Sequence, residues 1–470
     1  MNLKVALPTG DLRSHIHSLL LEAGIEPEGY EPGSRRMRTV AESSRTVFRI
    51  FRERDIPVQV ALGNYHLGIC SDSWVSELQV RFPLQRILRL GSLPGPGQEV
   101  WLCAAPEAGV PPGEVPAGAE LAGTRLASEL PNLADLVATH LRIPRYALLP
   151  LYGSAEAYPP EDADLVVLPA KDRAEVEAKG LVPLHRLFAG GVSLIANADA
   201  LAARDCSQLL ERLAPMLCGG RPELSLPRGR ADLTFRRQQR DRNVVRFAVP
   251  DGHAQRYTPD GLADAGFVFD GYSRESFVRR PRSGIEGLEV KVVRPQDMPQ
   301  LVAMGVVDIA ITGVDWLQEH RSRFPSSPAE LAVDLGKNRY RIGPVVDNAF
   351  PAETTAEALP IWQGLGRPVR IASEYSALAE AFARELHLTH TAIIPIAGAS
   401  EGFVPEDADI LIEGTETGSS LRANNLKMLD PFMESTNCVI VRREPVTTRV
   451  DLLRELVERL REGARAAAVR

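Results

Sequence analysis

The sequence predicts two tandem α/β units, each built of two lobes, and three observations carry that expectation. The first is duplication. Lys4-Val5-Ala6-Leu7-Pro8-Thr9-Gly10 recurs as Arg246-Phe247-Ala248-Val249-Pro250-Asp251-Gly252, Ala23-Gly24 as Ala265-Gly266, Asp55-Ile56-Pro57 as Asp297-Met298-Pro299, and Trp74 as Trp316, each pair 242 positions apart. Further on, Arg125-Leu126-Ala127-Ser128-Glu129 recurs as Arg370-Ile371-Ala372-Ser373-Glu374, and Pro160-Glu161-Asp162-Ala163-Asp164 as Pro405-Glu406-Asp407-Ala408-Asp409, now 245 apart. A spacing this steady marks one whole unit copied once, not a solenoid of short repeats. The second observation is alternation: short apolar runs alternate with helical patterns, as in mostly parallel sheets covered on both faces. The third is length: 470 residues exceed one ordinary core.

Composition narrows the function classes. Hydrophobic content of 44% with 24% charged residues fits a globular protein. A net charge of −7 argues against general nucleic-acid binding. No apolar run is long enough to span a bilayer, and the start reads as a strand rather than a signal peptide. Cys70, Cys103, Cys206, Cys218 and Cys438 are odd in number and contain no CxxC, which predicts reduced thiols and a cytoplasmic location.

In chain order, Leu3–Leu7 reads as a strand and Arg13–Ala23 as a helix ending at Gly24. Leu67–Cys70 and Ile309–Thr312 are strands that follow Asp-x-Pro helices, and Ala392–Ile396 and Ile410–Glu413 are further strands. Crossovers near residues 102–106 and 343–350 lead into a second lobe, and the chain returns near 187–196 and 432–442. The expected boundaries are a first unit over 1–218 (lobe I 1–102 and 187–218, lobe II 103–186) and a linker over 219–242. A second unit follows over 243–470 (lobe I 243–343 and 432–470, lobe II 344–431). Gly91–Gly97 and Gly109–Gly118 are predicted loops. Arg449–Arg470 is predicted as an amphipathic helix with Leu452, Leu453, Leu456 and Leu460 as its apolar contacts.

The chemistry concentrates where the two copies diverge. In the second copy an apolar strand delivers Glu413. The chain then turns through Gly414-Thr415-Glu416-Thr417-Gly418-Ser419-Ser420 into a helical pattern over Leu421–Leu429. A strand, a small-residue loop and a helix start converge free backbone N–H groups and hydroxyls on one point, as an anion site requires. Gly418 can take positive φ and admit a phosphate closely. An ordinary turn with a Ser N-cap uses the same residues. In the first copy the corresponding residues are Leu168, Pro169 and Asp172-Arg173-Ala174-Glu175, which remove the acid, one backbone donor and the glycine, and put carboxylates where phosphate would sit.

This stretch resembles the phosphoribosyl-pyrophosphate loop of the ATP phosphoribosyltransferases, which open histidine biosynthesis. Ala408-Asp409, Glu413, Glu416-Thr417-Gly418-Ser419-Ser420-Leu421 and Asn424-Asn425-Leu426 follow that family's pattern. Ile371-Ala372-Ser373-Glu374-Tyr375, Gly398-Ala399-Ser400-Glu401, Arg294-Pro295-Gln296-Asp297-Met298-Pro299 and Gly305–Gly313 resemble its other segments, in order. The likeness spans 244–443 and, more weakly, 3–196. It implies units of the periplasmic-binding-protein type, each with two mostly parallel sheets flanked by helices. It implies a glycosyltransferase that joins N1 of ATP to C1 of phosphoribosyl pyrophosphate, with Mg²⁺ carried on the pyrophosphate substrate. Glu413, Thr415, Glu416, Thr417, Gly418, Ser419 and Ser420 would then hold phosphoribosyl pyrophosphate, and Glu374, Tyr375, Arg279 and Arg280 would lie along the cleft. The span after Val441 is too short for the extra regulatory domain of the family's long form, so the likeness is to the short form. An intramolecular pseudo-dimer is implied because the family is oligomeric, with further oligomerisation or a regulatory subunit as additional partners.

One departure matters. The family's opening loop carries a Lys, but the copies have Pro8-Thr9-Gly10-Asp11 and Pro250-Asp251-Gly252-His253. Arg279, Arg280 and Arg282, or Arg35, Arg36 and Arg38 of the first copy, are the candidate replacements; solvated basic strand ends use the same residues. The departure keeps open a second reading, a non-catalytic ligand-sensing or regulatory paralogue of the same fold. Gly398-Ala399-Ser400-Glu401-Gly402 fits GxSxG but lacks the helix that a nucleophile elbow needs. His387-x-x-His390 and His15-x-His17 lack a third ligand, so no metal site is expected. Trp74 and Trp316 are expected to pack.

Overall fold

The computed structural model describes residues 3–41, 46–82, 87–220, 222–238, 240–398 and 400–469; Ala399, in the predicted Gly-Ala-Ser-Glu segment, lies outside them. Each half folds around one mixed nine-stranded sheet. In the first half the strand order is Arg38–Ala41, Thr46–Phe51, Leu3–Pro8, Leu67–Ser71, Val182–Asn197, Ile87–Ala104, Leu165–Ala170, Arg125–Ser128, Ala147–Pro150. Within each lobe the central pairings are parallel: Leu3–Pro8 pairs in parallel with Thr46–Phe51 and Leu67–Ser71, and Arg125–Ser128 with Ala147–Pro150 and Leu165–Ala170, while the edge strand Arg38–Ala41 is antiparallel to Thr46–Phe51. Two long antiparallel strands, Ile87–Ala104 and Val182–Asn197, cross between the lobes and join their sheets into one path. The second half repeats this order for eight strands, with Ala329–Asp347 and Met433–Arg442 as the crossing strands; Leu426–Met428 is its ninth strand, and Phe277–Ser283, the counterpart of Arg38–Ala41, pairs instead with Phe269–Tyr272 in a separate two-stranded sheet.

Two sequence expectations differ from the fold. Gly91–Gly97 is not a free loop but lies within Ile87–Ala104. Pro94 and Pro96 have no N–H to donate, so the ladder shifts register between Leu93 and Gln98 instead of ending. The helix expected over Leu421–Leu429 is a single turn, Ser419–Ala423. Asn425 takes φ 58°, which ends it, and Leu426–Met428 pairs instead with Val345–Asp347.

Paired polar contacts repeat in each unit. Tyr30 Oη donates to the Pro8 carbonyl at 2.6 Å, as Tyr272 Oη does to that of Pro250. Glu77 accepts from the backbone of Asn132 and Leu133, and Glu319 from that of Ala377 and Leu378, tying a lobe I helix to a lobe II helix. Burial in the lobe contact raises Glu77 to about 7, partly offset by those N–H groups.

The units meet crosswise. One apolar core joins Cys103, Val166 and Tyr158 of the first unit to Val293, Met298 and Ile440 of the second, and another joins Phe51, Tyr65 and Ile195 to Ala372, Phe403 and Leu411. Ion pairs between them also come in related sets. Glu406 receives Arg38 at 2.7 Å and Arg49 at 2.6 Å; Glu161, its counterpart, receives Arg280 at 2.9 Å and Lys291 at 3.0 Å. The Asp55 carboxylate accepts from Ala397 N at 3.1 Å, and that of Asp297 from Tyr152 N at 3.2 Å. The segment after Cys218 runs back along the first unit, where Arg230 N donates to the Val115 carbonyl at 2.8 Å. Arg240 then bridges Asp162 and the Gly305 carbonyl. Val450–Val469 is one helix that buries Leu453, Leu456 and Leu460. No described helix is long and apolar enough to cross a membrane.

Candidate active site

A cleft of about 690 Å³ opens between the lobes of the second unit. Its floor is the end of strand Ile410–Thr415 and the loop that follows. Of the residues expected there, Glu413, Thr415, Glu416, Thr417, Ser419 and Ser420 line it, as do Glu374 and Tyr375. Gly418 makes the turn itself, with φ 69°. A β-carbon at that position would be strained and would lie 3.0 Å from Arg422 Nη1. Gly418 N donates to Thr415 Oγ1 at 2.8 Å, and Ser419 N to Thr417 Oγ1 at 3.4 Å. The loop is thus held by its own hydroxyls, which a phosphate of more acceptor capacity can displace. Gly414 has a different role: a β-carbon there would meet the Tyr340 ring at 2.8 Å, so glycine lets that ring close the cleft wall.

Two carboxyls of the cleft are raised well above the usual carboxylate range. Glu413 is raised to about 8, first by burial and then by Glu401, although Ser400 Oγ and Gly414 N both donate to it. Glu374 is raised to about 7, mainly by burial, with Arg52 pulling the other way. Tyr375 donates to Asp315 Oδ2 at 2.7 Å and packs against Trp316 with ring centroids 4.5 Å apart. Trp316 therefore packs, as expected, and also faces the cleft.

Arg279 and Arg280 do not join this site. Arg279 is spent on Glu156 at 2.7 Å and Asp251 at 3.1 Å, and Arg280 on Glu161 at 2.9 Å. Both form part of the contact with the first unit, because their strand, Phe277–Ser283, faces the acids of residues 156–161. Positive charge reaches the cleft from other residues. Arg35, from the first unit, donates from Nη1 to Ser419 Oγ at 3.1 Å. Its backbone is fixed by Asn424, whose Nδ2 donates to the Arg35 carbonyl at 3.0 Å and whose Oδ1 accepts from Met37 N at 2.7 Å. Arg38 pairs with Glu406, and Arg36 lies 4.0 Å from Glu28.

Arg52 and Arg294 also line the cleft and were not singled out as site residues. A signal existed: each stands three residues before the Asp of the duplicated Asp-x-Pro segment. The departure at the opening loop has a structural counterpart. Asp251 is buried and binds Arg279 and, at 3.3 Å, Arg294.

The first unit closes the equivalent loop on itself. Asp172 caps the helix Arg173–Ala178 by accepting from Glu175 N at 2.9 Å. The Glu175 carboxylate accepts from Lys171 N at 2.7 Å and pairs with Lys179 at 2.9 Å. Two side chains satisfy the N–H groups that an anion would use.

Comparison with known proteins agrees with a tandem duplicate. The sequence model of the ATP phosphoribosyltransferase family matches residues 52–216 and again 294–462. A protein of Chlorobium chlorochromatii (strain CaD3) named ATP phosphoribosyltransferase is 30% identical over 205 residues, 43% of this chain and 65% of that protein. One of the same name from Chlorobium phaeobacteroides is 31% identical over 202 residues, 43% of this chain and 64% of that protein. The chain thus spans just under two thirds of the length of these relatives. Among solved structures, the ATP phosphoribosyl transferase (HisG:HisZ) complex from Thermotoga maritima aligns at 21% identity and TM-score 0.38, over 48% of this chain and 99% of that one. With a family match in each half covering most of its length, the chain belongs to the ATP phosphoribosyltransferase family.

Proposed function

We propose that the second unit catalyses the transfer of phosphoribose from phosphoribosyl pyrophosphate to ATP, the first step of histidine biosynthesis. The C1–N1 bond to adenine forms as the C1–O bond to pyrophosphate breaks, and the pyrophosphate leaves with the bonding electrons. In this reading Thr417, Gly418, Ser419 and Ser420 hold the 5′-phosphate, Thr415 orders the loop, and Glu413 and Glu416 accept from the ribose hydroxyls. Glu374 and Tyr375 form the opposite wall. Catalysis then rests on positioning two anionic substrates and on stabilising the departing pyrophosphate. Mg²⁺ enters with the pyrophosphate substrate; among the described residues no group of three His, Cys, Asp or Glu converges on an ion.

The observation that carries this proposal is the loop: a positive-φ glycine between hydroxyl residues at a strand end, with Arg35 reaching its Ser419. We further infer that the two units act as an intramolecular pseudo-dimer, the first lending Arg35 and Arg52 to a site it no longer contains. The related ion pairs of Glu161 and Glu406 support that arrangement. All five cysteines are free, which supports a cytoplasmic setting. One observation favours the non-catalytic reading: the buried Asp251 occupies the opening loop and neutralises Arg294.

The test is product formation by the purified full chain with ATP and Mg-phosphoribosyl pyrophosphate. The expected result is stoichiometric pyrophosphate release with a phosphoribosylated nucleotide. Tight binding of phosphoribosyl pyrophosphate without turnover would instead establish the sensor.

A further inference from the structure

One wall of the catalytic cleft rests on a buried carboxylate. Asp315 is fully enclosed, at 0% exposure. Its Oδ2 accepts from Tyr375 Oη at 2.7 Å and its Oδ1 from Ser435 Oγ at 2.7 Å. The Tyr340 phenol interacts with the same carboxylate and with both of those hydroxyls. Burial first, and the Asp315 charge after it, raise both phenols well above their usual range, so each remains a donor. The four residues come from separate elements. Asp315 lies in the first turn of the helix Val314–Arg323, Tyr375 precedes the helix Ser376–Glu385, and Tyr340 and Ser435 face each other on the two crossing strands. Glycine makes room for the acid: a β-carbon at Gly313 would lie 1.9 Å from Asp315 Oδ1.

The first unit has dismantled this cluster. At the spacings of the duplication, Asp315, Tyr340, Tyr375 and Ser435 correspond to Ser73, Gln98, Leu130 and Gly190, and Gly313 to Ser71. The strand ladders agree, since Gln98 pairs with Gly190 as Tyr340 does with Ser435. Ser73 Oγ donates to Gln98 Oε1 at 2.6 Å, and the acid and both phenols are gone. The first unit keeps its crossing strands without them, so the architecture does not require the cluster. Only the unit that keeps the phosphate loop keeps it.

Tyr340, Tyr375 and Trp316 line the cleft together, with the Tyr375 and Trp316 rings 4.5 Å apart. The loop supplies hydroxyls and carboxyls; these rings supply flat apolar faces. Of the two substrates in the proposed reaction, only the nucleotide carries a flat aromatic group. Stacking gains most from rings already fixed, because little side-chain freedom is then lost on binding. We propose that Asp315 is a positioning residue of the second unit, which through Tyr375 and Tyr340 fixes the aromatic wall against which the acceptor base lies. The inference rests on the transfer reading above, which supplies the nucleotide.

Calorimetric titration of the full chain with ATP, with AMP and separately with Mg-phosphoribosyl pyrophosphate tests this. In Asp315→Asn the amide nitrogen cannot accept from Tyr375, although the oxygen can still accept from Ser435. Tyr375→Phe keeps the ring and removes the same bond from the other side. Each substitution should weaken ATP and AMP alike, about tenfold, and leave phosphoribosyl pyrophosphate within about twofold. The double variant should bind nucleotide no more weakly than Asp315→Asn alone, because both changes act on one bond. A merely structural role would lower both substrates' affinities together and would add in the double variant. Either result overturns the proposal, as does a loss confined to ATP, which would place the effect at the phosphates, or an unchanged nucleotide affinity in Tyr375→Phe. Should Asp315→Asn fail to fold, Tyr375→Phe and Tyr340→Phe decide the matter, since each keeps Asp315 and its Ser435 bond. A parent chain that binds no nucleotide overturns this proposal and the transfer reading together; nucleotide binding that ignores the substitutions overturns this proposal alone.

Discussion

Arg35 Nη1 donates to Ser419 Oγ at 3.1 Å across 384 residues of chain, and the contact joins a duplicated scaffold to a loop that only one copy retains. The guanidinium is solvent-exposed, but its backbone is clamped by Asn424, one turn beyond the same loop. Loop and cation are therefore positioned by one hydrogen-bond set. Arg35→Gln keeps the length and removes the charge. We expect it to weaken phosphoribosyl pyrophosphate binding about tenfold, with a smaller dependence on salt, while the melting temperature stays put. Titration at two ionic strengths measures both effects; an unchanged affinity would remove Arg35 from the site.

Gly418→Asp tests the loop itself. The position has φ 69°, which a side chain tolerates only with strain, and Arg422 Nη1 lies 3.0 Å from where the β-carbon would be. An added carboxylate would also face the bound phosphate. Phosphoribosyl pyrophosphate affinity should fall at least about tenfold. Because the loop sits on one surface turn, far-ultraviolet dichroism should be unchanged.

How much of this was legible follows from where the constraint is local. The loop residues 413–420 sit together because one strand and one turn deliver them, and period and turn chemistry are visible in sequence. Arg279 and Arg280 are different. Their charge is visible, but whether a strand-end cation faces a ligand or an acid of the other unit depends on docking, and here Glu156 and Glu161 take them. Arg52 was missed for the converse reason: its own unit gives it no loop, and only the crosswise packing places it in the other cleft. The short helix at Ser419–Ala423 shows a third limit. Leu426–Met428 has helical periodicity with its neighbours, yet the open edge of Val345–Asp347 captures it as a strand.

Stability should fall as pH rises, because of the acids at the unit contact. Asp55 and Asp297 are buried by that contact and raised to about 7 and about 8, mainly by desolvation. Their folded values exceed the unfolded one, so the folded state holds the proton more tightly. The stability they contribute is full below about pH 4 and is lost as pH climbs toward 7 for Asp55 and 8 for Asp297, at no more than about 1.4 kcal/mol per pH unit each. Asp297→Asn keeps an oxygen to accept from Tyr152 N and cannot ionise. Urea melts at pH 5 and pH 8 should differ less in that variant than in the parent. An equal difference would show that Asp297 stays ionised across the range.

One chain should bind one phosphoribosyl pyrophosphate. In the second unit the donors of the loop are bonded only to neighbouring hydroxyls, which yield to a phosphate. In the first, Asp172 and Glu175 already accept from the backbone N–H groups at the helix start, and Leu168 replaces the acid at the strand end. Displacing them would cost two satisfied charge-assisted bonds and bring two carboxylates toward a dianion. Pro169 adds a further obstacle, since it has no N–H to offer. Arg173 does not offset these charges at the loop, because it is paired along the helix with Glu177 at 2.7 Å. Titration should therefore saturate at a stoichiometry of one. Replacing residues 172–175 by Thr-Gly-Ser-Ser should add a weaker second site, weaker because Leu168 still cannot accept from the ribose. Two equal sites in the unmodified chain would mean that the caps at 172 and 175 open freely, and the asymmetry between the units would then lie elsewhere.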